Sequence, residues 1–117
     1  MRHEIKKISK IVDELTTLFL RDDTNEVDFK IITGEDRTII KIVDYNTKYS
    51  DRTINHLRTT FNRQRQYEIE EYYWQLACEN DDDEEITLIG AMIDTAIVEK
   101  RDGNLYLELV RITEQPT

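Results

Sequence analysis

By residue type, the groups of this chain best suited to chemistry are a run of acids, Asp81-Asp82-Asp83-Glu84-Glu85, two histidines, His3 and His56, a single cysteine, Cys78, and the aromatic cluster Tyr67, Tyr72, Tyr73 and Trp74. A calcium loop needs carboxylates at alternating positions, a glycine at its sharp bend and a bidentate Glu at its end. The acid run has none of that spacing. Its adjacent carboxylates diverge and repel, so it reads as a solvated loop capping the helix that follows. The histidines stand far apart with no Cys or carboxylate at ligand spacing, and no metal site is assigned. Cys78 has no His or basic neighbour in sequence to activate it and reads as a structural thiol. Tyr72, Tyr73 and Trp74 suit helix packing, and because Tyr and Trp are common interface anchors they are also the candidate partner-binding residues.

The elements that must position these groups follow from periodicity. Ile5, Ile8, Ile11, Val12, Leu15, Leu18 and Phe19 recur every three or four positions, which predicts a helix over about 2–20 with Lys6, Lys7, Lys10, Asp13 and Glu14 on its polar face. From Glu26 to Thr33 the period becomes two, with Val27, Phe29 and Ile31 on one side and Asp28 and Lys30 on the other. Arg37 to Val43 returns after Gly34-Glu35-Asp36 as the second strand of a hairpin. Ser50 or Asp51 can cap a helix marked by Ile54, Leu57 and Phe61, and a second helix is expected over 67–78, with Glu68, Glu70 and Glu71 near its positive end. Ile86, Ile89 and Ile93, with Leu88 and Met92, fit a buried helix and fit a buried strand nearly as well. Thr95–Lys100 and Leu105–Ile112 flank Asp102-Gly103, the strongest short-range hairpin signal in the chain.

The resulting order is αββ-αα-αββ. It predicts an α+β fold, a two-layer α/β sandwich in which helices cover one face of a four-stranded sheet. The chain has 117 residues, and no Gly-, Ser- or Pro-rich linker divides it, so a single domain over 1–117 is expected, with 113–117 as a frayed tail. The net charge of −9 opposes binding to a phosphate backbone, and Arg58, Arg63 and Arg65 read as a solvated helix end rather than a nucleic-acid groove. One cysteine, no signal-peptide pattern and no apolar run of spanning length make a cytoplasmic location the expectation, with no membrane partner. The sheet's edges leave monomer or homodimer open.

Taken together, the arrangement resembles the ATP-binding domain shared by gyrase, a heat-shock chaperone, histidine kinases and MutL, the GHKL or HATPase-like superfamily, over nearly the full length of the chain. In that family a helix bearing a Glu and a magnesium-binding Asn leads into strands. An Asp-x-Gly-x-Gly turn reads adenine, a variable lid follows, and a glycine-bearing helix precedes a closing hairpin. The resemblance places Glu14 of IVDELTTLFL at the family's Glu, Asp44 of KIVDYNTKY at the adenine-reading Asp, and Gly90 of LIGAMID at the last glycine of the second glycine box. It also places Leu18 at the magnesium-binding Asn, and a hydrocarbon side chain has no oxygen for a hard cation. Asp44-Tyr45-Asn46-Thr47-Lys48 lacks both glycines of the adenine box, and Leu88 stands at another phosphate-loop glycine, so close backbone approach to a phosphate is impeded. The resemblance therefore implies a degenerate member, a non-catalytic binding or regulatory module with a protein partner and no required cofactor. The alternative is a nucleotide-binding protein or weak ATPase that takes ATP or ADP in a modified pocket built on Glu14, Asp44 and Gly90.

Overall fold

A computed structural model describes residues 3–63, 65–73 and 83–113, with the backbone alone at 72, 73 and 83–85. Its elements are α1 (Glu4–Arg21), β1 (Val27–Thr33), β2 (Arg37–Asp44), α2 (Asp51–Phe61), α3 (Tyr67–Tyr73), α4 (Asp83–Gly90), β3 (Thr95–Arg101) and β4 (Asn104–Ile112). This is the αββ-αα-αββ order expected from the sequence. The strands form one antiparallel sheet in the order β1-β2-β4-β3, so the two hairpins join through β2 and β4.

Alternation along the strands decides which sheet face the helices cover. Ile40 and Ile42 of β2, Val98 of β3 and Leu105, Leu107 and Leu109 of β4 point to one side, where they form a single core with Ile11, Leu15, Leu18 and Phe19 of α1, Ile54, Leu57 and Phe61 of α2, and Ile86 and Ile89 of α4. Each such Ile or Leu, buried from water, contributes roughly 1.5–3 kcal/mol before entropy is counted. Ser50 is the cap of α2, its Oγ accepting from the Thr53 N–H at 3.2 Å. Asp102 and Gly103 both have positive φ, 53° and 83°, the two left-handed positions that a tight hairpin turn requires and that Asp-Gly supplies at low cost. No helix among the described residues is long and apolar enough to cross a membrane.

Several local expectations change. The buried stripe of α1 is Glu4, Lys7, Ile11, Glu14, Leu15, Leu18 and Phe19, so Lys7 and Glu14 lie inward whereas Ile5, expected inward, is 78% exposed. The stripe is rotated because its first turns face charged partners rather than hydrocarbon. The ambiguous 86–94 segment is helical to Gly90, and Met92 and Ile93 are buried in the turn that follows. Thr113, expected to start a frayed tail, is buried and donates its N–H to Asp36 O at 2.9 Å.

Gly90 marks a tight contact of α4 with α2. A Cβ there would stand 2.7 Å from the Thr60 carbonyl oxygen and 3.2 Å from its Cγ2. Gly90→Ala is therefore expected to push the helices apart at a cost of about 1–3 kcal/mol, seen as a lower urea midpoint with an unchanged slope. An unchanged midpoint would show that the contact yields freely.

Candidate functional site

The densest set of ionisable groups lies beneath the N-terminal turn of α1. Arg111 continues the inward alternation of Leu105, Leu107 and Leu109 and is fully buried. Its Nε and Nη2 donate to the two Glu4 carboxylate oxygens at 2.8 Å each. Its Nη1 and Nη2 donate to the two Glu70 oxygens at 2.7 and 2.9 Å, and Nη1 also donates to Met92 O at 2.9 Å. All five guanidinium N–H groups are thus bonded, two of the partners being bidentate carboxylates.

Glu70 is the centre of this cluster. Beyond Arg111, it accepts from Lys7 Nζ at 2.8 Å and from Arg65 Nε and Nη2 at 3.0 and 3.3 Å. Arg65 Nη1 continues to Asp94 Oδ2 at 2.9 Å and Ile112 O at 2.7 Å, while Lys7 also pairs with Glu71. Burial alone would raise the Glu70 carboxyl. The hydrogen bonds from Arg111, Arg65 and Lys7 outweigh it and hold the group at about 2. Burial likewise works to lower Arg111 and Lys7, and their carboxylate partners reverse it, so both are raised. Lys7, Arg65 and Glu70 were expected at solvated positions and instead join α1, α3, β4 and the turn after α4. With its donors and acceptors already satisfied internally, the cluster is suited to holding the fold.

A groove on the other flank of α1 has the opposite character. It has a volume of about 450 Å³, within the range of small-molecule sites, and lies between the C-terminal part of α1, Tyr49, α2 and Ile86 of α4. Its apolar wall is Leu18, Leu57 and Ile86, and its polar lining includes Arg21, Asp22, Arg52 and His56. Arg21, Arg52 and His56 are exposed, and two arginines against the one carboxylate of Asp22, 4.0 Å from Arg21, leave the lining with a small positive excess on a chain whose net charge is −9. Tyr49 closes one side, its ring 6.0 Å from that of Phe19 and its hydroxyl donating to Asp22 Oδ2 at 2.7 Å. Burial, and then that hydrogen bond, raise its phenol well above the ordinary range.

The site residues drawn from the resemblance do not line this groove. Glu14 is 4% exposed in the inward stripe of α1, and Gly90 is occupied by its contact with Thr60. Asp44 is 1% exposed at the end of β2, and neither carboxylate oxygen has a partner among the described residues. The loop after Asp44 is pinned to the distal hairpin by Thr47 N–H to Gly103 O at 2.9 Å and Asn46 N–H to Asn104 Oδ1 at 2.9 Å. Of the candidate partner-binding residues, Trp74 lies outside the described residues, as do the side chains of Tyr72 and Tyr73. The groove residues Arg21, Arg52 and Tyr49 carry no motif in sequence. They stand at the last residue of α1, in the first turn of α2 and just before α2, and only the packing of these helices brings them together.

The ionic cluster makes a pH prediction. Glu70 stands at about 2 in the folded chain against an ordinary 4.5. Its contribution is therefore present above about pH 4.5 and is lost as pH falls toward 2, with a magnitude of roughly 3 kcal/mol. Glu70→Gln is expected to lower stability at pH 7 by about 3–5 kcal/mol, since Arg111, Arg65 and Lys7 each lose one of their two carboxylate partners, and the gap to the parent should narrow below about pH 4.5. Urea unfolding of both proteins between pH 7 and pH 2 checks this. Parallel curves would contradict it.

Comparison with family models, with curated proteins and with solved structures finds no match to this chain.

Proposed function

We propose that the protein is a non-catalytic binding or regulatory module built on a degenerate histidine-kinase-like ATPase fold, and that its groove beside α1 receives a ligand or partner segment joining an anionic group to an apolar body. Leu18 carries this proposal. Under the resemblance it stands where a magnesium-binding Asn would be, and in the structure its side chain forms part of the groove's apolar wall. Hydrocarbon does not hold Mg²⁺, and without that metal phosphoryl transfer loses a main source of charge stabilisation. The same wall favours an apolar body, while Arg52, His56 and Arg21 at the opening complement an anion.

Asp44 supports a second reading, nucleotide binding. A buried carboxylate with no protein partner is costly unless something satisfies it. Tyr49 lines the groove and feels the Asp44 charge, so the two sites are neighbours. A base whose amino group reached Asp44 would supply the missing donor.

Amide chemical shifts followed during titration with phenyl phosphate, and separately with ADP and ATP with and without Mg²⁺, distinguish these readings. The binding-module reading expects phenyl phosphate to perturb the amides of Leu18 and of 52–57 at millimolar concentration, with Arg52→Glu weakening the effect about tenfold or more. No perturbation by phenyl phosphate would sink it. Saturable ADP or ATP binding abolished by Asp44→Asn would establish the nucleotide reading instead.

A further inference from the structure

The two edges of the sheet are finished differently. On β3, Asn62 at the C-terminal cap of α2 both accepts from the Ala96 N–H and donates to the Ala96 carbonyl, each at 2.9 Å, and Arg58 of α2 donates through Nε and Nη2 to the Val98 carbonyl at 3.0 and 2.5 Å. These side chains occupy backbone groups that another strand would need. On β1 nothing comparable occurs among the described residues. Glu26 O accepts from Tyr45 N–H and Gly34 N–H donates to Arg37 O, so in this antiparallel ladder the even-numbered residues bond to β2. Val27, Phe29, Ile31 and Thr33 therefore turn their N–H and C=O groups outward.

The side chains of β1 select a partner for that edge. Asp28 and Lys30 are exposed on the face of the sheet away from the helices. Lys30 stands opposite Lys41, whose own carboxylate partner is Glu108 at 3.7 Å, and Lys30 has no acidic partner among the described residues. On the helix side Ile31 is 48% exposed. In the antiparallel register centred on Phe29, a second β1 places Phe29 opposite Phe29, Val27 opposite Ile31, and Asp28 opposite Lys30, twice by symmetry. Centring one position on, at Lys30, sets Lys30 against Lys30 instead. Opposite charges facing each other stabilise a strand pair and like charges oppose it.

We infer that β1 is a homodimerisation edge, and that two copies of this chain join their sheets across a two-fold axis at Phe29 into one continuous eight-stranded sheet. The outward groups of Val27, Phe29 and Ile31 are hydrogen-bonded in that register, and Asp28 answers Lys30 of the other copy. The covering of one edge by Asn62 and Arg58 directs association to the other.

Sedimentation equilibrium with charge variants tests both the edge and the register. The parent chain is expected to dimerise at micromolar to millimolar concentration. Asp28→Lys and Lys30→Asp, each putting two like-charged pairs in the interface, should weaken dimerisation about tenfold or more. Mixed in equal amounts, the two single variants should form a heterodimer, because the lysine introduced in one then faces the aspartate introduced in the other. The double exchange Asp28→Lys/Lys30→Asp should restore dimerisation to within about threefold of the parent. Circular dichroism confirms that each variant is folded. A parent chain that stays monomeric throughout, single variants that dimerise like the parent, or a mixture that gains nothing over its components would each overturn the inference.

Discussion

An arginine with no exposure to water is tolerable only if every N–H it carries has a partner, and much of this fold is arranged to meet that requirement for Arg111. Its side chain extends the inward row of β4 past the last leucine of the core. The groups that satisfy it come from the first turn of α1, the middle of α3 and the turn after α4. These segments are distant in sequence, and their meeting at one guanidinium fixes how the helical layer sits over the end of the sheet. Such a cluster is weak evidence of net stabilisation, because hydrophobic groups of the same shape can do as well. Its consequence is geometric: α3, only 7 residues long, is held to the body of the fold through Glu70 and through the Gln66 N–H bond to Ala91 O at 3.0 Å.

Two clusters of charged groups among the described residues thus have different roles. Those around Glu70 are closed on themselves, and their mutual hydrogen bonds leave little for a ligand to gain. Those around the groove are open to solvent at one end and sit against hydrocarbon at the other, the combination that suits recognition. Gly90 and Glu14 fall on the structural side of this division, one at a helix contact and the other in the buried stripe of α1. Asp44 belongs to neither cluster. It is buried like the first and unpartnered unlike it.

The legible part of the fold was the part encoded locally. Apolar periods of two and of three to four residues located the strands and helices, and Asp102-Gly103 located its hairpin, because each signal spans only a few residues. The ionic cluster was missed because a charged residue on an amphipathic helix is normally read as solvent-facing, and the partners that make burial tolerable are far away in the chain. A signal was nonetheless present. Arg111 has the parity of Leu105, Leu107 and Leu109, and Lys7 and Glu4 continue the row of Ile11 and Leu18 backward by one and two turns. Charged residues in phase with an apolar row on two separate elements are what a buried pair looks like in sequence. The groove had no such signal, since it is a gap between helices whose spacing depends on tertiary packing.

The packing of the helical layer at this end of the sheet depends above all on Glu70 being ionised in the interior and held so by Arg111, Arg65 and Lys7. Its side-chain carboxyl carbon can be followed by nuclear magnetic resonance from neutral pH into acid. A midpoint near 2, with no change of state between pH 7 and about pH 4, is the expected result. A midpoint in the ordinary glutamate range, close to 4.5, would contradict it and would mean that the three cations do not converge on this carboxylate in solution.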